Sequence, residues 1–221
     1  MDRYHLCFEL LQSGDADGLR RLVDETPDAA EATDAAGVSL LMHALYRGRR
    51  DLAETIAGKK HELDIFEASS LGRLERLQGC LSDVAAINSF SKDGFTALHF
   101  ACYFGQPEVA RLLIEKGAKI DAVANNATQV MPLHSAASSR NLAAARLLVE
   151  HGAPVNARQQ AGWVPIHAAA QNGDQEMVDL LLAHGADVDM ANNDGKSPAM
   201  VARDKGHAKI ASLLEALKSK S

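Results

Sequence analysis

Residues 93–118, DGFTALHFACYFGQPEVARLLIEKGA, recur with the same spacing at residues 161–186, AGWVPIHAAAQNGDQEMVDLLLAHGA. The motif that starts at Thr96 also starts at Met131, Val164 and Ser197, at intervals of 35, 33 and 33 residues. A period of this length indicates supersecondary units that stack, because one unit cannot bury its own apolar face. The sequence therefore predicts a repeat array and not a globular domain.

Each copy predicts a hairpin, a helix, a turn and a second helix. In the copy at residues 93–118, Thr96 is expected to cap the first helix through its side-chain oxygen, and Gly105 to end that helix. Pro107 opens the second helix, where its missing N–H costs no hydrogen bond. Gly117 supplies the left-handed residue that stops it.

These motifs resemble the ankyrin repeat family. The resemblance implies an all-α repeat solenoid in which hairpins, here called fingers, and first helices form a concave surface that binds another protein. The segment LDIFEASSLGRLERL at residues 63–77 is also similar to a group of stand-alone bacterial ankyrin proteins.

Weaker copies extend the array toward the N-terminus, so that residues 1–221 are predicted to form a single domain of about seven units with polar caps at both ends. The predicted repeats cover approximately residues 1–31, 32–62, 63–86, 87–119, 120–154, 155–187 and 188–221.

Two spacings depart from the period. Ala44 and Ala68 are only 24 residues apart, so no finger fits between the second and third repeats. Ala101 and Ala136 are 35 residues apart, and the extra pair falls in the finger at residues 125–130. Insertions confined to one repeat usually map to the binding face.

One turn lacks its glycine. Arg140 occupies the position that is glycine in other repeats. Either Asn141 carries the turn, or the backbone at Arg140 is strained by about 1 kcal/mol or more.

The recurring histidines His99, His134 and His167 do not predict a metal site. Packed helices lie roughly 8–10 Å apart, whereas zinc needs ligand nitrogens about 2.0–2.1 Å from one ion. Hydrogen bonds to finger backbone or to a neighbouring cap hydroxyl are expected instead. No phosphate-loop, nucleophile-elbow or zinc-protease motif occurs. We therefore expect no enzymatic activity, no cofactor and no metal.

Composition narrows the class of protein further. The net charge is −6, and nearby acids offset the basic residues between positions 47 and 60, which argues against nucleic-acid binding. The chain has no long apolar run, so neither secretion nor membrane insertion is expected. Cys7, Cys80 and Cys102 are widely spaced and are predicted to be buried thiols. These features predict a cytoplasmic, monomeric protein.

Aromatic residues occupy the positions that the resemblance marks as facing the partner. Phe95 and Trp163 follow finger glycines, and Tyr46, Tyr103 and Phe104 end first helices. Interfaces favour such residues because they bury a large area at low entropic cost. The alternative is that Phe95 or Phe104 packs against the adjacent finger while Trp163 only rigidifies its hairpin.

The predicted partner-binding set combines these aromatics with polar positions and the enlarged finger. It consists of Tyr46, Arg47, Phe95, Tyr103, Phe104, Gln129, Val130, Ser138, Ser139, Trp163, Gln171, Asn172, Lys196 and Lys205. The predicted function is that of a protein-interaction module or adaptor. Two alternatives are a regulatory or inhibitory subunit that blocks a partner enzyme, and a self-associating structural protein.

Overall fold

A computed structural model of the chain describes residues 3–81 and 84–218, so the predicted domain's residues 1–2, 82–83 and 219–221 lie outside the described residues. Helices follow one another in pairs. The first helices are α1 (Arg3–Ser13), α3 (Leu40–Tyr46), α5 (Ile65–Leu71), α8 (Ala97–Tyr103), α10 (Pro132–Ser138), α12 (Pro165–Asn172) and α14 (Pro198–Asp204). The second helices are α2 (Ala16–Glu25), α4 (Arg50–Ala57), α6 (Leu74–Cys80), α9 (Pro107–Glu115), α11 (Leu142–Glu150), α13 (Gln175–Ala183) and α15 (Ala208–Lys218).

The all-α repeat solenoid predicted from the sequence is confirmed. Two short helices were not predicted, a 3-10 helix at Pro27–Glu31 and α7 at Val84–Ile87. The assignment of one repeat to each helix pair, with its boundaries and end caps, stays a prediction.

The helices form two layers. First helices contact one another in chain order from α3 through α14, and second helices contact one another at α2–α4, α9–α11 and α11–α13. Alanines lie fully buried at the repeated position of four first helices, which lets their backbones approach closely: Ala101, Ala136, Ala169 and Ala202. One continuous apolar core runs from Cys7 in α1 to Leu214 in α15. Cys7 and Cys102 are buried, as predicted, and the side chain of Cys80 lies outside the described residues.

Glycines with positive φ end the first helices, as at Gly105 (φ 73°) and Gly173 (φ 69°). The corresponding residue after α10 is Arg140, whose φ is 59°. Asn141 has φ −85° and caps α11 through its side chain. Of the two possibilities raised by the sequence, the structure therefore shows a left-handed arginine.

We expect Arg140→Gly to raise the free energy of unfolding by about 0.5–1 kcal/mol, because relief of left-handed strain exceeds the entropic cost of glycine. Urea denaturation measures the change. Arg140→Ala is the matched control, since it removes the side chain but keeps the strained Cβ. A glycine variant no more stable than the alanine variant would contradict the prediction.

Backbone hydrogen bonds join neighbouring fingers. An N–H of one finger donates to a carbonyl of the preceding finger at three places: Asn125 to Gly94 (2.8 Å), Gln160 to Thr128 (3.1 Å) and Asn193 to Ala161 (3.1 Å). Gly94, with φ 87°, lies so close to the next finger that an added Cβ would be 2.4 Å from the Asn125 carbonyl oxygen. The fingers therefore form a continuous ladder from residue 89 onward.

The ladder is interrupted where the sequence predicts no finger. Residues 58–64 connect α4 to α5 directly. The finger at residues 33–39 then faces the finger at residues 89–95, and Lys92 spans the gap: a Cβ added to Gly37 would lie 3.2 Å from Lys92 Cγ. A cavity of about 300 Å³ remains between the two fingers and the start of α5. We call it the gap cavity.

Candidate protein-interaction surface

Three buried histidines join first helices to the fingers that follow. His99 Nδ1 accepts the Thr96 backbone N–H at 3.2 Å, and His99 Nε2 lies 3.0 Å from the Val130 carbonyl oxygen. This pattern requires the tautomer with its proton on Nε2. His134 and His167 make the equivalent contacts in the next two repeats. The predicted hydrogen bonds of these histidines to finger backbone are confirmed.

Thr96 is the N-cap residue of α8, as the sequence predicts, and forms a capping box with His99. Its hydroxyl lies 2.8 Å from His99 Nδ1, which is the contact with a cap hydroxyl expected for these histidines. At Ser39 the side chain accepts the Met42 N–H at 3.3 Å.

The buried histidines are held neutral. Burial lowers the pKa of His99 to about 4 and also lowers the pKa of His134 and of His167. Protonation of Nδ1 would place a donor against the backbone N–H that it now accepts. Within residues 3–81 and 84–218, no group of three His, Cys, Asp or Glu side chains is arranged to hold a metal ion.

Four of the predicted aromatics meet in one cluster with Phe100, which the sequence analysis did not single out. Ring centroids of Tyr103 and Phe104 are 5.1 Å apart, those of Tyr46 and Phe104 6.2 Å, and those of Phe95 and Phe100 5.6 Å. Tyr46 and Tyr103 are 42% and 48% exposed, although both are large and largely apolar. This set is the aromatic cluster.

The aromatic cluster surrounds a shallow pocket of about 240 Å³, the aromatic pocket. Its lining is mostly apolar and includes Tyr46, Phe95, Tyr103 and, from the next first helix, Ser135. Phe104 is half-buried beneath the two tyrosines and supports them. The arrangement offers an apolar side chain of a partner a preformed pocket with aromatic walls.

Tyr46 reaches across the position of the missing finger. Its hydroxyl donates to the carboxylate of Asp93, 47 residues later in the chain. Burial of the ring and the hydrogen bond to Asp93 both raise the pKa of Tyr46, so the hydroxyl stays protonated. Asp93 is a second residue that the sequence analysis missed. Its only signal was its place beside Gly94 at a finger tip.

Trp163 stands apart from the aromatic cluster. Its ring packs on His167 of its own repeat, with centroids 5.4 Å apart, and the residue is half-buried. This contact fits the alternative in which Trp163 rigidifies its hairpin. Its role in partner binding stays a prediction.

The polar members of the predicted set divide into two groups. The exposed side chains are those of Arg47, Gln129, Ser138, Gln171, Lys196 and Lys205. The apolar Val130, also in the predicted set, is half-buried, and its carbonyl oxygen accepts a hydrogen bond from His99. Ser139 and Asn172 instead serve the fold: the Ser139 hydroxyl donates to the Ser135 carbonyl at 2.9 Å, and the Asn172 amide donates to the Ser138 carbonyl at 3.1 Å. Gln129 adopts φ 52°, so it is, like Arg140, a residue other than glycine in the left-handed region.

Asn172 belongs to a pattern that sequence reasoning missed. Side chains at the turn between first and second helices bond to the carbonyl ends of the preceding first helix. Gln106 donates to Ser70 and Asn141 donates to Cys102, at 3.2 and 2.9 Å. These bonds satisfy carbonyls that have no partner inside their own helix.

Arg49, Arg50, Lys59 and Lys60, near α4, are paired with acids. Arg49 lies 2.9 Å from Asp51 and Lys59 lies 2.9 Å from Asp24. Among the described residues, no helix combines the length and the apolar character needed to cross a membrane.

Comparison with known proteins identifies the family of this chain. A family model described as "Ankyrin repeats (3 copies)" matches residues 65–159 and 133–219. The chain is 35% identical over 126 residues to the zinc finger CCCH domain-containing protein 24 of Oryza sativa, which covers 55% of this chain and 14% of that protein. It is 43% identical over 70 residues to the B-cell lymphoma 3 protein homolog of Mus musculus, covering 32% of this chain and 15% of that protein.

A third relative matches more of the chain. The ankyrin repeat domain-containing protein SAT10 of Stachybotrys chartarum is 27% identical over 148 residues, covering 65% of this chain and 8% of that protein. The chain thus spans less than one sixth of the length of any of these three relatives. The family model covers the helix pairs that carry the repeated motif, and the chain belongs to the ankyrin repeat family.

Proposed function

We propose that this protein is an interaction module or adaptor that binds another protein through its fingers and first helices, with the aromatic pocket as the main anchor. The observation that carries the proposal is the exposure of Tyr46 and Tyr103 around a preformed apolar pocket. Buried aromatics in preformed pockets contribute most to binding free energy at interfaces, and a preorganised surface loses little entropy on docking.

The exposed side chains Arg47, Ser138, Gln171, Lys196 and Lys205 then form a polar rim. Lys196 is already paired with Asp204 at 2.6 Å, so it contributes through shape more than through free charge. The proposal is for a cytoplasmic monomer without a catalytic role or cofactor, whose partner is a protein and not a nucleic acid or a membrane.

The double substitution Tyr46→Ala and Tyr103→Ala is expected to weaken partner capture by about 100-fold, since two interface anchors of at least roughly 1.4 kcal/mol each are removed. Partners captured from a lysate by the tagged protein are identified by mass spectrometry, and binding of the identified partner is then measured by calorimetry. Thermal melting reports the fold.

Tyr4→Ala is the matched control, because Tyr4 is 45% exposed but lies in α1, away from the aromatic pocket. Unchanged binding in the double variant would remove the aromatic pocket from the interface. A large fall in melting temperature would instead make the two tyrosines part of the core.

The alternatives give different results with the same reagents. If the protein is a regulatory or inhibitory subunit, adding it reduces the activity of a captured enzyme. If it self-associates, its mass in sedimentation equilibrium rises with concentration, and the double substitution abolishes that rise.

A further inference from the structure

The aromatic pocket is lined by five rings and one serine. The rings are those of Tyr46, Phe95, His99, Phe100 and Tyr103, and the serine is Ser135. Within the part of the chain that the structure describes, the pocket has no aliphatic lining and no carboxylate, ammonium or guanidinium group. Aromatic residues make up only 5% of the chain, so a lining built of them sets this place apart. The faces of such rings carry negative electrostatic potential and attract cations.

The rings reach the pocket from different elements. Tyr46 ends α3, Tyr103 ends α8, and Phe95 belongs to the finger at residues 89–95. Phe100 is only 3% exposed and forms the floor, with its plane inclined by 66° to that of Phe95. The volume of about 240 Å³ is below the roughly 300–1,000 Å³ of pockets that enclose whole small molecules. The pocket therefore suits the head group of a single side chain.

A carboxylate lies directly behind one wall of the pocket. The Tyr46 hydroxyl donates to Asp93 Oδ2. A phenol that donates to a carboxylate is polarised by it, which makes its ring a stronger partner for a cation. In the gap cavity, which Asp93 also lines, the charges instead compensate one another: Lys60 lies 2.9 Å from Glu31 and 3.3 Å from the buried Glu67. A cation is therefore expected in the aromatic pocket and not in the gap cavity.

The pocket suits a cation that has no N–H groups. Both ring nitrogens of His99 already have backbone partners. Both carboxylate oxygens of Asp93 already accept hydroxyl groups, from Tyr46 and from Ser91. A primary ammonium has three N–H donors, and burying them without acceptors costs free energy. A trimethylammonium group has none, and its methyl groups present apolar surface to the rings.

We propose that the aromatic pocket binds the trimethylammonium group of a methylated lysine side chain on the partner, between the faces of Tyr46, Phe95 and Tyr103. This proposal rests on the proposed function, because the partner supplies the lysine. It deepens that function by giving the anchoring group a charge and a shape.

The test uses the full chain and a small probe, N-acetyl-trimethyllysine amide, titrated by two-dimensional ¹H–¹⁵N NMR. We expect saturable millimolar binding with shifts at the amides of Tyr46, Phe95 and Tyr103. The matched probe replaces the quaternary nitrogen by carbon, which keeps the shape and removes the charge. It is expected to bind about tenfold more weakly. Equal binding of the two probes, or no saturable shift at these amides, overturns the proposal.

N-acetyl-lysine amide separates a quaternary ammonium from cations in general. It carries the same charge but also three N–H donors, so it is expected to bind about tenfold more weakly than the trimethylated probe. An unmethylated lysine that binds as tightly would overturn the assignment to a methylated side chain.

Two variants connect the binding to named residues. Tyr103→Leu keeps an apolar wall but removes the ring face, so it is expected to weaken the trimethylated probe about tenfold and the neutral probe much less. Asp93→Asn removes the charge behind Tyr46 and is expected to weaken only the trimethylated probe, by about threefold. Tyr4→Ala, equally exposed but in α1, is the control. Losses of the same size for both probes in Tyr103→Leu would mean that the pocket recognises apolar shape alone, which overturns the proposal.

A choline head group carries the same trimethylammonium chemistry, so the source of the cation needs its own measurement. Phosphatidylcholine vesicles are expected to leave the protein in the supernatant on sedimentation. Co-sedimentation that Tyr103→Leu abolishes would assign the pocket to a lipid and overturn the proposal of a methylated lysine.

Failure of this proposal is distinguishable from failure of the proposed function. If the trimethylated probe does not bind but the double tyrosine variant still loses its partner, the cation is rejected and the aromatic anchor stands. If the probe binds but the double tyrosine variant captures its partner normally, the aromatic anchor of the proposed function is rejected, and the partner's lysine with it.

Discussion

Between pH 7 and pH 5 the free energy of unfolding is expected to fall by about 2 kcal/mol through His99 alone. The pKa of His99 is lowered to about 4 in the folded protein, whereas an unfolded histidine has a pKa of about 6.5. Above pH 6.5 both states are neutral, and the full stability is present. As the pH falls from about 6.5 to 4, the unfolded state takes up the proton first, so stability is lost progressively.

Other titratable side chains also contribute to the pH dependence of the free energy of unfolding. His134 and His167 act in the same direction, because burial lowers their pKa values as well. Glu67 acts in the opposite direction: its raised pKa makes the folded state bind a proton before the unfolded state does. The lowered pKa values of Glu31 and Asp34 affect stability only as the pH falls through the ordinary carboxylate range near 4.

Urea denaturation across this pH range measures the loss, and variants assign it. His99→Gln does not titrate, so its stability is expected to vary with pH by about 2 kcal/mol less than that of the unsubstituted protein, although it is less stable at pH 7. His61→Gln is the control, because the His61 side chain is 83% exposed. A His99→Gln variant with an unchanged pH dependence would show that the fold does not lower the pKa of His99.

The helix pairs could be predicted because each copy of the motif carries its own start and stop signals. Prolines begin α9, α10, α12 and α14, and positive-φ glycines follow most first helices. The 3-10 helix at Pro27–Glu31 and α7 could not be predicted, since neither is part of the repeated motif. Arg140 shows the limit of the same reasoning. From the sequence, either Arg140 or Asn141 could carry the turn, and the backbone angles show that Arg140 is the left-handed residue.

The candidate surface was less predictable because its key contacts join distant residues. The short spacing before residue 63 predicted a missing finger, but not that Tyr46 would cross the gap to Asp93. Nor did it predict a buried carboxylate facing the gap cavity. Trp163 looked equivalent to Phe95 in sequence, and each packs on the histidine of its own repeat, but Phe95 also joins the aromatic cluster. Such differences depend on neighbouring repeats, which the repeat pattern does not specify.

Gly94→Ala is expected to destabilise the protein by about 3 kcal/mol. The residue has φ 87°, so any side chain there costs roughly 1–2 kcal/mol of left-handed strain. The new Cβ would also lie 2.4 Å from the backbone carbonyl oxygen of Asn125, which no side-chain rotation can relieve. The two fingers would have to separate, and the 2.8 Å hydrogen bond from Asn125 to Gly94 would be lost, at a cost of about 1 kcal/mol or more.

Gly195→Ala is the matched control, because it carries the left-handed strain without the clash against a neighbouring finger. Gly195 occupies the equivalent place in the finger that precedes α14, with φ 73°, but an added Cβ there has no atom within 4 Å. Only the left-handed strain of roughly 1–2 kcal/mol is expected. The difference between the two variants in urea denaturation therefore measures the packing of one finger on the next. Equal losses would mean that the finger ladder contributes little, and that the missing finger before α5 costs this protein correspondingly little stability.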